Sequence, residues 1–200
     1  MEYYSQNKQD LIILEYLNNK TNGYFLDIGC GYPKTINNTF LFETHYNWNG
    51  LSIDIHDFQE HSGENWYDIR NTKQILDDAL EIDYYQLLRD NNVPKVIDFL
   101  TMDLEPPDLT LDVLYKIPFD VYQFNLILFE IDDEREPFFE KKKSESRKFL
   151  KSKGYNFIGN IGGQDDLYLH NTISTNVDFY QLLINIGIPD YNIKHFNPQL

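Results

Sequence analysis

The sequence predicts an α/β fold with a mostly parallel sheet, and three observations carry that expectation. Short β-rich apolar runs recur along the chain, longer stretches with helical spacing separate them, and several runs end on a glycine or a carboxylate. At 200 residues the chain suits one domain spanning 1–200. A hydrophobic share of 42%, with 15 Tyr and 14 Phe, supplies enough apolar surface for a sizeable core and excludes wholesale disorder.

Each element follows from a local signal. In residues 5–18, Leu11, Ile12, Leu14 and Leu17 fall close together on a helical wheel behind Ser5, a candidate N-cap. A lead-in helix is therefore expected within 1–20, covering one sheet edge. Residues 24–28 follow the Asn22-Gly23 turn and stop at a glycine-bearing loop, which marks the first strand. A helix is expected over 38–46. Gly50 then opens a second strand at 51–55, whose apolar and polar residues run together as in a strand buried on both faces, with Asp54 at its end. Residues 57–71 are polar and irregular, with at most a short strand at 66–69. Residues 73–90 carry Ile75, Leu76, Ala79, Leu80, Leu87 and Leu88 at helical spacing.

After Pro94, residues 96–102 read as a central strand ending at Asp103 and Glu105, and residues 124–131 as another ending at Glu130 and Asp132. Pro106 and Pro107 bar a regular continuation and hold Glu105 on a stiff turn. A helix over 138–153 places Lys141, Lys142 and Lys143 on a solvated face, with Gly154 as its stop. Residues 155–158 and 166–169 form a closing pair of strands around the Gly162-Gly163 turn, and residues 171–200 add a helix and a tail.

The net charge of −15 creates a field that repels phosphate backbones and anionic lipids, which disfavours a nucleic-acid partner or a membrane surface. The longest apolar runs, LIILEYL and FNLILF, fall far short of the ~20 residues that span a bilayer. The start MEYYSQNKQD lacks the pattern of a signal peptide and the lone Cys30 cannot close an internal disulfide, so a cytoplasmic, reducing location is expected.

The most informative segment is YFLDIGCGYP, residues 24–33, in which a buried strand delivers Asp27, Gly29 and Gly31 in succession. Two glycines let the backbone turn tightly and approach a ligand. A dinucleotide site would continue as G-x-G-x-x-G, whereas Lys34 stands at the last position, and the preceding Asp27 is not part of that fingerprint. Asp54, at the end of the next strand, suits a carboxylate that accepts hydrogen bonds from both ribose hydroxyls.

The D-x-G-x-G order resembles motif I of class I S-adenosylmethionine-dependent methyltransferases. Over residues 5–170 the chain resembles the FkbM family of methyltransferases more closely. The resemblance rests on SQNKQDLIILEYL, the NNT of residues 37–39, WNGLSIDI, VIDFLTMDLE, FNLILFEID and SRKFLKSKGY, in that order. It implies a Rossmann-like class I fold, with helices on both faces of the sheet and an antiparallel closing strand. It also implies S-adenosylmethionine as cofactor, bound by Asp27, Gly29, Gly31, Asn38, Thr39 and Asp54. Asn38 and Thr39 also suit a helix N-cap pair.

Ligands of parallel α/β sheets sit beyond the carboxyl ends of the strands, so Asp103, Glu105, Glu130 and Asp132 are expected to converge beside the transferring methyl, with Asp103 or Glu105 the first choice for the catalytic base and Glu130 and Asp132 the second pair. Crowded carboxylates raise one another's pKa toward a useful range. The same acids suit Mg²⁺ or Ca²⁺, so a divalent cation is a possible second cofactor. His56, His61 and His170 offer alternative bases but read first as surface histidines or as residues behind the site, and Cys30 reads as a small packing residue. The implied activity is O-methylation of a hydroxyl on a sugar, glycan or other small molecule. Two other classes stay open. One is a silent methyltransferase-like binding module, suggested by Pro33-Lys34 and by Glu130-Ile131-Asp132, where some relatives have a histidine before the aspartate. The other is a nicotinamide-dependent sugar-modifying enzyme.

Overall fold

The computed structural model describes residues 2–58, 63–131 and 138–188, leaving aside the side chains of residues 138 and 139. Asp132, His61, His195 and the tail after residue 188 lie outside the described residues. Seven strands form one sheet: β1 (Tyr24–Ile28), β2 (Asn49–Asp54), β3 (Lys73–Leu76), β4 (Val96–Met102), β5 (Gln123–Glu130), β6 (Tyr155–Ile161) and β7 (Asp165–His170). Their order is β3-β2-β1-β4-β5-β7-β6. The first five strands pair in parallel, while β7 enters antiparallel between β5 and β6. This is the expected Rossmann-like sheet with its antiparallel closing strand.

Helices cover both faces. On one face α1 (Gln9–Tyr16), α2 (Phe40–Tyr46) and α7 (Phe179–Asn185) share a buried cluster with Phe25, Phe99, Leu126 and Leu128 of the central strands. On the other, α4 (Tyr84–Asp90), α5 (Leu109–Leu114) and α6 (Phe138–Ser152) pack with Leu26, Leu100, Ile127 and Phe129. The alternation of Phe25 with Leu26, and of Leu126 with Ile127, is the period-2 side-chain geometry of a strand buried on both faces. Among the described residues no helix is long and apolar enough to cross a membrane.

Several expectations are corrected. The lead-in helix packs under the central strands instead of along an edge. Its N-cap is Lys8, and Ser5 bonds Asp10 at 2.8 Å instead. The stretch read as a short strand is the one-turn helix α3 (Trp66–Ile69), capped by Asn65. The stretch read as one long helix begins with β3, pairs Leu51 with Lys73 through Asp54 with Leu76, and becomes helical only at Tyr84. Lys142 does not lie on a solvated face: it is buried and donates to the Pro107 carbonyl at 2.5 Å.

Candidate functional site

The glycine loop begins where β1 ends. Gly29 has φ +82°, donates to the Ile53 carbonyl at 2.8 Å, and leaves so little room that a Cβ would stand 1.7 Å from the Asp103 carbonyl oxygen. Only glycine fits there. Gly31 also has a positive φ, +58°, but a Cβ on it would meet nothing within 4 Å, so open space lies before the loop at this point. Its N–H donates to Asp54 Oδ2 at 2.9 Å, and Asp54 Oδ1 accepts from His56 N at 2.9 Å. Tyr32 and Phe58 meet at a tilt, their ring centroids 4.8 Å apart, with His56 edge-on to Phe58.

Asp27 is buried behind this loop, opposite Ser52 of β2 and Thr101 of β4 in register. It accepts from Thr39 Oγ1 at 2.8 Å. Burial pushes its pKa up to about 7, helped by the charges of Asp103 and Asp54 and opposed by the Thr39 hydrogen bond and the Arg70 charge. Asn38 reaches Thr101 Oγ1 at 3.2 Å. Thr39 stands at the N-cap position of α2, but its side chain makes no capping bond. Asn37 Oδ1 accepts from Thr39 N at 2.9 Å and Phe40 N at 2.8 Å, while its amide donates to the Cys30 carbonyl at 3.0 Å and the Tyr32 carbonyl at 2.9 Å. One buried asparagine thus ties the loop to the helix.

Beside it lies Arg70, 1% exposed and stacked on Trp66 with the guanidinium carbon 4.8 Å from the ring centroid. Its Nε pairs with Glu43, Nη1 donates to the Pro33 carbonyl at 3.0 Å and to Asn37 Oδ1 at 3.1 Å, and Nη2 donates to Thr39 Oγ1 at 3.1 Å.

At the ends of β4, β5 and β7 a second group forms. Glu130 faces Asp165 in register and interacts with Asp103. Burial, then the Asp103 charge, raises the Glu130 pKa well above the carboxylate range, against the pull of Lys142. Glu130 Oε2 and Ser52 Oγ are the buried side-chain oxygens with no hydrogen-bond partner among the described residues. Asp165 accepts from Gln9 Nε2 at 2.8 Å, and burial pushes its pKa up to about 7. Asp103 and Glu130 therefore come together, while Glu105 stands exposed on the turn closed by the cis Glu105-Pro106 peptide and Asp132 lies outside the described residues.

Asp165, Gln9, Asn37 and Arg70 were not read from the sequence. Of these, only Asn37 carries a sequence signal, as the first residue of the NNT run. Among the described residues no group of three or more His, Cys, Asp or Glu is arranged to hold a metal ion. His170 pairs with Thr172 at 2.8 Å, and Cys30 packs in the loop, where burial keeps its thiol pKa well above the usual value.

A sheet of this order, with an acid-preceded glycine loop after β1 and a second acid ending β2, has the Rossmann-like architecture of class I methyltransferases. The fold is similar to that of human Methyltransferase-like protein 13 in complex with SAH, with a TM-score of 0.53, 13% identity, and coverage of 96% of this chain and 91% of that one. It is also similar to the METTL16 MTase domain, with a TM-score of 0.51, 13% identity, and coverage of 82% and 66%. None of the curated proteins matches the sequence. Residues 12–157 match the Methyltransferase FkbM domain, and the chain belongs to that family. The protein is an S-adenosylmethionine-dependent methyltransferase.

The chemistry of the loop fits that cofactor. The space before Gly31, the acid ending β2 and the Tyr32–Phe58 pair offer room, a ribose-hydroxyl acceptor and flat apolar faces.

Proposed function

We propose that the protein transfers a methyl group to a hydroxyl of a sugar, glycan or other small molecule. S-adenosylmethionine supplies an electrophilic methyl on a sulfonium. In this reading Asp27, Gly29, Gly31, Asn38, Thr39 and Asp54 hold it. Each Asp54 oxygen accepts one backbone N–H and keeps a lone-pair direction for a ribose hydroxyl.

The observation that carries the acceptor assignment is the Asp103–Glu130 pair, in which the two carboxyl groups interact and Glu130 Oε2 is buried. Burial and the Asp103 charge favour the protonated form of Glu130 within this pair. The pair is suited to orient a hydroxyl and to take its proton as the new oxygen–carbon bond forms and the sulfur–carbon bond breaks. A net charge of −15 argues against a phosphate-backbone acceptor. The family membership supports transfer itself, and the paired acids support a neutral hydroxyl acceptor.

The test is titration of the protein with S-adenosylmethionine, S-adenosylhomocysteine and NAD, followed by transfer of labelled methyl to panels of sugars, hydroxylated small molecules, amines and RNA. Label in the hydroxyl compounds is the expected result. Label confined to RNA, or to amines, overturns the acceptor assignment. Binding without transfer to any panel member favours the silent module, and binding of NAD in preference favours the nicotinamide reading.

A further inference from the structure

We propose that Arg70 is a positioning residue of the cofactor site, acting through Thr39 on Asp27 and through Pro33 and Asn37 on the glycine loop. The inference rests on the reading that Asp27 and this loop hold S-adenosylmethionine. Burying a guanidinium costs several kcal/mol, and replacement of a buried ion pair by apolar side chains is often neutral for stability. An ion pair with Glu43 is therefore a weak reason to keep an arginine here.

The placement of the donors gives a stronger reason. Glu43 is fixed by its own partners, the N–H groups of Asn71 and Thr72 and the Thr72 hydroxyl at 2.7 Å. It holds the Nε edge of Arg70, and Phe25, Phe40 and Trp66 surround the guanidinium plane. Both Nη atoms are then directed at the loop side: one at Pro33 and Asn37, the other at Thr39. Thr39 accepts from Arg70, which leaves its hydroxyl proton for the loop-side acceptors, Asp27 Oδ2 at 2.8 Å and Asn37 Oδ1 at 3.1 Å, with Asp27 the nearer. A planar fork does this and an ammonium does not. Asp27 also faces Asp54 from β2, Asp103 from the end of β4 and the Cys30 thiol in the loop, and Arg70 is the cation that opposes those acids.

The experiment titrates S-adenosylhomocysteine into the wild type, Arg70→Lys, Arg70→Met and Thr39→Val. Thermal unfolding is recorded in parallel, and the Asp27 carboxyl is followed by ¹³C NMR against pH. Arg70→Lys keeps a charge for Glu43, and Thr39→Val keeps the Arg70–Glu43 pair, so both report positioning if Arg70→Met does not fold. The expected result is a loss of affinity of about tenfold or more in Arg70→Lys and Thr39→Val, beyond any change in melting temperature, with the Asp27 midpoint moved upward in each variant that lacks the relay. Wild-type affinity in a folded Arg70→Lys and Thr39→Val, with an unmoved Asp27 midpoint, overturns the proposal. If the wild type fails to bind the probe, the cofactor reading of the loop fails by itself, and the Asp27 midpoint still decides whether Arg70 acts on that carboxyl.

Discussion

The backbone N–H of Gly31 donates to Asp54 Oδ2 at 2.9 Å, so the acid that ends β2 fastens the glycine loop that follows β1. Loop shape and the second acid are thus one unit, and a change at Asp54 removes both a ligand group and a loop tether. Asp54→Ala is expected to weaken S-adenosylhomocysteine binding by about 100-fold, as two charge-assisted hydrogen bonds to the backbone go with it. Asp54→Asn, which keeps one acceptor oxygen, should fall between. Calorimetry reads both, and equal affinity in all three proteins would refute the assignment.

The two loop glycines should respond differently to alanine. At Gly29 the added carbon would overlap the Asp103 carbonyl, so Gly29→Ala must displace backbone and is expected to cost more than about 3 kcal/mol in urea unfolding. At Gly31 the carbon enters open space, so Gly31→Ala should cost only about 1 kcal/mol of left-handed strain yet reduce cofactor affinity by occupying that space. Similar stability losses in the two variants would contradict this geometry.

Asp165 makes stability depend on pH. Its folded pKa of about 7 lies above the ordinary 3.8, so between those values the native protein binds the proton that the unfolded chain releases. Stability contributed by this group is whole below about pH 4 and declines as pH rises toward 7, by a few kcal/mol at most. Asp165→Asn keeps an acceptor for Gln9 and removes the titration, so its loss of stability between pH 4.5 and 7.5 should be smaller than that of the wild type. Identical slopes by urea unfolding at the two pH values would count against a buried proton at this site.

For the paired acids, Glu130→Gln and Asp103→Asn are expected to lower the transfer rate by about 10²-fold or more while leaving S-adenosylhomocysteine affinity within a few fold. The measurement is single-turnover methyl transfer to the best acceptor from the panel. Unchanged rates in both variants would remove the pair from the proton transfer.

Not every buried charge belongs to the site. Asp166 receives Arg147 through two bonds, at 2.7 and 2.9 Å, together with the Asn160 amide and the Tyr168 hydroxyl. Its side chain shares the opposite face of β7 from Asp165. Asp166→Ala is expected to cost about 3 kcal/mol by leaving these donors unpaired, with cofactor affinity unaltered in the folded fraction. A selective loss of binding would place this pair in the site after all.

The legible parts of the sequence were those whose structure is local. The bounds of Tyr24–Ile28 and Val96–Met102 are legible because apolar β-rich runs there are cut off by turn residues, and the loop carrying Asp27, Gly29 and Gly31 is legible because strand and turn follow one another within the chain. The edge strand β3 was not legible. Ile75, Leu76, Ala79 and Leu80 have helical spacing, and only pairing with β2 makes Lys73–Leu76 extended.

The sequence by itself determined the fold class, the glycine loop, its two acids and the family, because each is a pattern of neighbours along the chain. Tertiary structure alone decided which charges are buried together. Lys142, in a run of three lysines, meets the Pro107 carbonyl across the sheet end; Gln9 meets Asp165 over 156 residues; Arg70 meets Thr39 over 31. Those separations carry no local periodicity, and a buried polar group takes whatever partner the packed fold presents because an unpaired one is costly.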